Sequence, residues 1–406
     1  MMKLERKEYI INKINFLGEY LVYIYILAIF IESKLNLKIR YILEGFAILK
    51  ILLDYKDIKI KGKEIYKTFL LILVVGIIFN YFASQSDGVE KFISRNIRFY
   101  HGLLVMIFIN SQKKLEKVSN IIILGTALLG FGIFKNLDYV KLDIFRQRGI
   151  IVLGVAYCII YFVETLKNEI NIKKISYKTF FIGVATILGS LGVIFSDSRM
   201  GFLVVIFVII GYIAYNLLNK FSLKKLVISF IIGISSILMF YEISPQWFQR
   251  EVKTSFETKN NFSNEARIIM WQGCIEAFKK SPIIGVGSSL DDTGVYTMKA
   301  GIETKRGEVF KKEFAKGTFP EGHSIYLNFL AEVGSLTFIY LYLFFILIPK
   351  YFFKANKNSI SIASFFGIIG FYIYGITWSI WSMYGLVQTL FQIFLAILLI
   401  NLKEEK

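Results

Sequence analysis

The feature that most constrains this 406-residue sequence is a series of apolar runs, each close to the length that crosses a lipid bilayer. A helix needs about 20 apolar residues to cross the hydrocarbon, and its own hydrogen bonds satisfy its backbone there. The twelve runs fall at 14–31, 37–53, 66–83, 97–111, 118–136, 149–166, 178–196, 200–219, 226–243, 323–348, 359–378 and 382–400. With 55% hydrophobic residues, the chain is predicted to be an all-α integral membrane protein of about twelve transmembrane helices.

Two of these runs are weak, and the run at 14–31, the first of the twelve, raises the question of a signal peptide. The run at 37–53 carries four charged residues, and the run at 97–111 is short. No small-residue cleavage site follows the first run, so we expect an uncleaved first span.

One polar stretch of 79 residues, 244–322, interrupts the apolar pattern. It divides the chain into a membrane domain of about nine spans (1–243), this large loop, and a membrane segment of about three spans (323–406). Within the loop we predict short amphipathic helices, one of them from an N-cap at Asn264 to Lys280, before Ser281-Pro282. We expect its apolar face to lie on the membrane surface.

Lysine sets the predicted orientation. Short lysine clusters follow alternate apolar runs, as cytoplasmic connections require, so both termini are predicted to be cytoplasmic and the 244–322 loop to face outward. The net charge of +18 could suggest a nucleic-acid partner. We exclude that partner because the lysines lie between apolar runs and form no basic face on a soluble domain.

Arginine is distributed differently. Eight of ten arginines fall in or beside outward loops: Arg95, Arg98, Arg146, Arg148, Arg199, Arg250, Arg267 and Arg306. Planar, permanently charged guanidiniums suit phosphate recognition, although arginines can also decorate loops or grip lipid headgroups. We single out Arg95, Arg98, Arg146 and Arg148 as further candidates for binding a phosphate group.

Arg199 and Arg267 are the best-placed arginines. Arg199 lies in a tight turn between two apolar runs, at the predicted outer rim of the membrane, where a charge is costly. Asp197 could instead be its structural partner. Arg267 shares a predicted helix face with Met270, Trp271, Cys274 and Phe278, which aims it at headgroup depth. There Trp271 could contribute to phosphate binding, or Arg267 could merely snorkel at the interface.

His323 opens the tenth run and is the candidate general base. A neutral imidazole is suited to proton transfer near pH 7, although a lone histidine is more often structural. Tyr326 lies on its helical face, and Glu332 would lie about 13 Å deeper, where an acid needs a partner. We assign both residues a supporting role. His101, the other histidine, begins the fourth run and has no clear role.

No metal or cofactor site is predicted. Cys158 and Cys274 offer no disulfide framework, and with two histidines no zinc spacing exists. Asp291-Asp292 could bind a cation, but the chain has no Asp-x-Asp, Walker, Gly-x-Ser-x-Gly or His-Glu-x-x-His sequence.

Several motifs together resemble the O-antigen ligase and polymerase superfamily of bacterial envelope enzymes. They are Ser198-Arg-Met-Gly201, Arg267-Ile-Ile-Met-Trp271, Pro282-Ile-Ile-Gly-Val-Gly287 and His323-Ser-Ile-Tyr-Leu-Asn-Phe-Leu-Ala-Glu-Val-Gly334. Their order, and the large loop between the ninth and tenth runs, carry the resemblance. The family pattern usually has His-Asn where this chain has His323-Ser324, so this chain has no amide side chain directly after the histidine.

The resemblance implies glycan transfer at the outer face of the bacterial cytoplasmic membrane. The donor would be a glycan on undecaprenyl diphosphate, and the acceptor lipid A–core for a ligase or a second lipid-linked glycan for a polymerase. By matching position, Arg199 and Arg267 would hold the diphosphate and His323 would deprotonate the acceptor hydroxyl. The reaction would be metal-independent and inverting, with no cofactor.

Three alternatives stay open. Ligase is favoured over polymerase by the single His323-type motif and the chain length. A transporter would show repeated, interrupted spans with ionisable residues at mid-membrane, and no such repeat is evident. A non-catalytic, glycan-binding membrane scaffold would show no donor turnover.

Overall fold

The computed structural model describes residues 2–137, 139–171, 175–196, 198–219, 246, 249–250, 253, 262–382 and 385–403. These residues form helices joined by turns, with two isolated bridges and no β-strand among them. The helices are α1 (Met2–Ile31), α2 (Ser33–Asp54), α3 (Lys63–Ala83), α4 (Gly88–Asn96), α5 (Tyr100–Phe108), α6 (Gln112–Lys135), α7 (Ile144–Asn171), α8 (Tyr177–Phe195), α9 (Arg199–Asn219), α10 (Phe262–Lys280), α11 (Leu290–Ile302), α12 (Glu308–Ala315), α13 (Ile325–Val333), α14 (Thr337–Tyr342), α15 (Ile348–Lys354), α16 (Ser359–Tyr374) and α17 (Gly385–Ile400).

Seven stretches of the described chain are long and apolar enough to cross a membrane. They are α1, α3, α6, α7, α8, α9 and the continuous run from α13 through α15. The all-α membrane class is therefore confirmed, while the count of twelve spans stays a prediction. The run at 37–53 lies on the charged α2, 97–111 on the nine-residue α5, and the last two on the 16-residue α16 and α17. The run at 226–243 lies outside the described residues.

Glycine brings α6 and α8 into backbone contact. A Cβ added at Gly130 would lie 2.3 Å from the Leu188 carbonyl oxygen, and one at Gly192 would lie 2.6 Å from the Gly130 Cα. Helices in lipid have no hydrophobic driving force to associate, so they depend on van der Waals contact, and small residues at the crossing allow that close contact.

The bundle has two distinguishable ends. We call the end that carries α10–α12 the loop end and the opposite one the lysine end. At the lysine end, Lys61 Nζ donates to the carbonyl oxygens of Ile400 and Leu402, at 3.1 and 3.0 Å. Lys50 Nζ donates to the Ile107 carbonyl oxygen at 2.7 Å. These lysines satisfy carbonyl groups that the ends of α17 and α5 leave without a helical partner.

The loop helices form a small core of their own. Ala266, Ile269 and Met270 of α10 pack against Phe310 and Phe314 of α12. A second cluster joins α10 to α13 through Cys274, Ala277 and Ala331. The expectation that the apolar face of α10 lies on the membrane is therefore wrong for Met270 and Cys274, because helices of the same chain cover them.

The bounds of α10 were predicted correctly at one end only. The helix ends at Lys280, as Ser281-Pro282 predicts. It begins at Phe262, so Asn264 is not its N-cap. Phe262 stacks on Phe310 with ring centroids 4.6 Å apart, and this packing accompanies the earlier start.

The connection after α10 is fastened to the end of α13. Val286 N donates to the Ala331 carbonyl oxygen at 2.8 Å, and Gly287 N to the Glu332 carbonyl oxygen at 3.1 Å. Gly285 has φ +76°, and a Cβ there would lie 2.3 Å from the Glu332 oxygen. Only glycine permits this approach. The Pro282–Gly287 motif thus positions α10, and with it Arg267, relative to the helix that follows His323.

Candidate functional site

His323 occupies a backbone turn held from two sides. Its φ is +46°, in the left-handed region. Few non-glycine residues adopt this conformation, and those that do are concentrated at functional sites. Immediately before it, Gly322 N donates to Asn328 Oδ1 at 2.7 Å. Immediately after Ser324, Ile325 N donates to the Gly375 carbonyl oxygen at 2.8 Å. The turn therefore fixes the imidazole at the loop end, just before α13 begins.

The His323 ring has an aromatic ring and a guanidinium as neighbours. Its centroid is 5.9 Å from that of Trp378, in an edge-to-face arrangement. Burial, and secondly the nearby Arg267, lower the pKa of His323 to about 4. The imidazole is consequently neutral at pH 7 and has a free lone pair with which to accept a proton.

Arg267 is an electrostatic neighbour of both Arg199 and His323. Burial, followed by the like charge of Arg199, lowers the pKa of Arg267, and the same guanidinium acts on His323. Arg199 is the first residue of α9, which places it at the loop end. The three residues predicted to act together, from three distant parts of the chain, are thus brought to one region. Asp197, the alternative partner of Arg199, lies outside the described residues.

Two buried N–H donors on α10 have no protein acceptor among the described residues. Arg267 Nη1 donates to Asn264 Oδ1 at 3.3 Å, but its Nε is buried without a partner. Trp271 Nε1, one turn further along the same face, is also buried without a partner. A buried unsatisfied donor costs about 1–3 kcal/mol. An anionic ligand beside this face of α10 would remove that cost.

The four additional arginine candidates separate into two environments. Arg148 Nε donates to the Ser196 carbonyl oxygen at 2.6 Å, and its guanidinium acts on Tyr374, as does that of Arg267. Arg148 therefore belongs with the His323 region. Arg98 has Arg95 and Arg146 as electrostatic neighbours, in a separate group. Arg95 Nη1 lies 3.0 Å from both carboxylate oxygens of Glu332, and this pair is buried.

The two residues assigned a supporting role take structural contacts. Glu332 is the partner of Arg95, which joins α13 to α4 across 237 residues of sequence. The Tyr326 hydroxyl donates to the Tyr372 carbonyl oxygen at 2.8 Å and so joins α13 to α16. Both contacts fix the helix that follows His323, and neither brings the side chain to the imidazole.

Glu321 is a residue that sequence reasoning missed. Its side chain is buried, Oε1 has no partner in the described structure, and Oε2 accepts from Ser382 Oγ at 3.0 Å. Burial raises the pKa of Glu321 to about 7. A carboxyl group with this pKa, two residues before His323, is a candidate functional group. The only sequence signal was its place in the Glu-Gly-His segment.

His101 and the Asp291-Asp292 pair lie apart from His323. His101 is buried, and its Nδ1 lies 2.8 Å from Thr389 Oγ1. Asp292 Oδ2 accepts from Ser84 Oγ and Ser289 N, and it completes a capping box at the start of α11. Its oxygens are thus occupied by helix capping. Within the described residues, no group of three or more His, Cys, Asp or Glu could hold a metal ion.

Comparisons with known proteins agree with the resemblance. A family model described as "O-Antigen ligase" matches residues 184–342. This range contains Arg199, Arg267 and His323. The resemblance to the O-antigen ligase superfamily is therefore confirmed for this part of the chain.

The chain is also similar to an uncharacterized protein of Haemophilus influenzae. The two are 31% identical over 199 residues, which are 46% of this chain and 47% of that protein. The match thus spans about half the length of this curated relative.

Proposed function

We propose that this protein transfers a glycan from undecaprenyl diphosphate to an acceptor hydroxyl at the outer face of the bacterial cytoplasmic membrane. The observation that carries the proposal is the position of Arg267 beside both Arg199 and His323. We favour O-antigen ligation to lipid A–core, with polymerisation of lipid-linked repeat units as the alternative.

The donor's diphosphate would occupy the region between the guanidiniums. Arg199 and Arg267 would bind its oxygens, with Arg148 and the Trp271 N–H nearby. Charge-assisted hydrogen bonds from guanidinium to phosphate are among the strongest in proteins. They would strengthen as the sugar–phosphate bond breaks and negative charge develops on the leaving oxygen. In this role the arginines supply the positive charge, so the proposed reaction requires no metal ion.

His323 would accept the proton of the acceptor hydroxyl. The acceptor oxygen forms a bond to the anomeric carbon while the bond from that carbon to the phosphate oxygen breaks. The diphosphate leaves with the bonding electrons, and the proton passes to the imidazole. The bound diphosphate would also offset the charge of Arg267, so the pKa of His323 would rise in the donor complex and make it a stronger base. A single displacement of this kind inverts the anomeric configuration.

The orientation in the membrane is part of the proposal. The lysines that contact helix ends lie opposite the α10–α12 loop, and lysine-rich connections favour the cytoplasmic side. The loop end, with His323, would then face outward, where lipid-linked glycans are presented to their acceptors.

The direct test is transfer by purified protein reconstituted into nanodiscs with an undecaprenyl-diphosphate glycan. Lipid A–core and a second lipid-linked glycan are supplied as separate acceptors, each with and without EDTA. We expect product with at least one acceptor and no loss of rate in EDTA. Absence of donor turnover with both acceptors would leave a transporter or a binding scaffold as the better account.

A deletion strain separates the two candidate reactions in the cell. Loss of a ligase leaves unmodified core together with lipid-linked polymer, whereas loss of a polymerase leaves core that carries one repeat unit. The glycan profile of the strain, read by gel and mass spectrometry, decides between them.

A further inference from the structure

A second group of arginines meets at the loop end of the bundle. The guanidinium of Arg98 has Arg40, Arg95 and Arg146 as electrostatic neighbours, contributed by α2, α4 and α7. Arg98 itself lies in the short 3-10 turn Ile97–Phe99 between α4 and α5. Four cationic side chains from distant parts of the sequence therefore lie near one another, and their repulsion requires compensation.

Three of the four have a carboxylate partner. Arg40 Nε lies 3.1 Å from Glu44 Oε1, and Arg146 Nη1 lies 2.7 Å from Asp143 Oδ2. Arg95 has Glu332, at 3.0 Å. For Arg98, the described residues offer the neutral amide of Gln388, whose Oε1 accepts from Nη1 at 3.1 Å. Arg98 is therefore the one guanidinium of these four without a carboxylate partner among the described residues.

The placement of Arg98 is specific. A Cβ built on Gly385 would lie 2.8 Å from the Arg98 Cζ, so the guanidinium packs closely against the backbone at the start of α17. Gln388 is fixed in turn, because its Nε2 donates to the Arg95 carbonyl oxygen at 2.9 Å. A half-buried charge held in place without a counter-charge is costly, and in membrane proteins such a residue marks a functional site.

The Arg98 group is next to the His323 region but separate from it. Arg146 and Arg148 are two residues apart on the first turns of α7, about 200° around the helix, so they face different sides. Arg148 contacts Ser196, whereas Arg146 neighbours Arg98. Phe145 lies 5.8 Å from Trp378, and Trp378 lies 5.9 Å from His323, measured between ring centroids. Two aromatic rings thus connect the Arg146 end of α7 to the imidazole.

We propose that Arg98, with Arg40 and Arg146 around it, forms a second anion site that binds a phosphate group carried by the membrane-borne acceptor. This inference rests on the function proposed above. Each substrate would then be anchored by its own phosphate, the donor at Arg199 and Arg267 and the acceptor at Arg98. Such anchoring converts the meeting of two lipids into a reaction within one complex and orients the acceptor hydroxyl toward His323.

The test counts binding sites for a short lipid diphosphate. Farnesyl diphosphate is titrated by calorimetry into protein held in phosphatidylcholine nanodiscs. We expect two equivalents to bind to the wild type and one each to Arg98→Gln and Arg267→Gln. Gln388→Glu, which places a carboxylate beside Arg98 without removing it, should also bind one. Arg306→Gln, which removes an arginine of the loop paired with Glu265 at 3.5 Å, serves as control and should bind two.

The outcomes keep the two proposals apart. The second site would be overturned if Arg98→Gln and Gln388→Glu each still bind two equivalents of farnesyl diphosphate. It would also be overturned if the wild type binds one equivalent and only Arg267→Gln abolishes that binding. Two equivalents bound to Arg267→Gln would instead contradict the donor site. If inorganic diphosphate binds the Arg98 site as tightly as farnesyl diphosphate, the site binds a free anion. If phosphatidylglycerol in the nanodisc blocks the site, it binds a bulk lipid headgroup. Either result would show that its assignment to the acceptor is wrong.

A kinetic measurement supplies a second readout. With saturating donor, Arg98→Gln should raise the acceptor KM roughly 10- to 100-fold, because one charge-assisted contact is lost. The donor KM should stay within about twofold of the wild type. A rise in donor KM alone would contradict the acceptor assignment.

Discussion

At the lysine end of the bundle, cationic side chains donate to carbonyl groups where helices end, whereas at the loop end two buried N–H groups have no protein partner among the described residues. Lys61 contacts two carbonyl oxygens at the end of α17, but Arg267 Nε and Trp271 Nε1 are buried and unpaired among the described residues. The same sign of charge therefore stabilises the fold at one end and leaves binding capacity at the other. This difference locates the candidate site more specifically than composition does.

The largest expected effect concerns the reacting groups of the loop end. Arg267→Ala should lower kcat by about 10²–10³ because it removes charge stabilisation of the leaving diphosphate. His323→Ala should lower it by about 10²–10⁴ because it removes the base. Transfer is measured in nanodiscs, with membrane insertion and melting temperature as controls. Wild-type turnover in either variant would remove that residue from the mechanism.

Glu321 provides the next largest effect, on stability. Because its pKa is raised from 4.5 to about 7, the folded state retains a proton that the unfolded state releases between these values. Its stabilising contribution is complete below pH 4.5 and is lost as the pH rises through 7, by about 3 kcal/mol in total. Glu321→Gln should remove this loss.

The measurement is melting in detergent across pH. The Gln variant should melt close to the wild type at pH 4.5 and clearly above it at pH 8. Parallel pH profiles for the two proteins would show that Glu321 is not held protonated.

Trp271→Phe tests a single unpaired donor. The change keeps an aromatic ring on α10 and removes the N–H that we assign to the diphosphate. Loss of one hydrogen bond to a charged group should lower kcat/KM roughly 10- to 100-fold. Trp271→Phe with unchanged kcat/KM would mean that the indole serves packing alone.

The smallest effect belongs to the lysine end. Lys61→Met keeps much of the side-chain volume and removes the donor to the Ile400 and Leu402 carbonyls. It should lower stability by about 1 kcal/mol and leave transfer unchanged. A large loss of transfer in this variant would show that the two ends do not differ in the way described.

Much of the architecture was predictable because the length of an apolar run and a Ser-Pro pair that ends a helix are local sequence signals. The positions of α6, α7, α8 and α9 and the end of α10 at Lys280 follow from them directly. The packing of α12 against the apolar face of α10 was not predictable, because Phe310 and Phe314 are about 40 residues away in the sequence.

The sequence predicted which residues belong to the candidate site better than it predicted which of the arginines lie together. Arg199, Arg267 and His323 each had a local reason to be functional, and the structure brings them together. The sequence did not separate the remaining arginines, because the pairing of Arg95 with Glu332 spans 237 residues. The hydrogen bond that Glu321 accepts likewise comes from Ser382, which is distant in the chain.

The most direct test of the central claim is the titration of His323 by NMR. The chain has two histidines, so His101→Gln with isotope-labelled histidine leaves one reporter. We expect a pKa of about 4 in the free protein, caused by burial and Arg267. The pKa should rise when farnesyl diphosphate binds, and it should rise in Arg267→Gln without ligand. A His323 pKa near 6.5 that neither the diphosphate nor the substitution changes would contradict a shared site for Arg267, His323 and the donor.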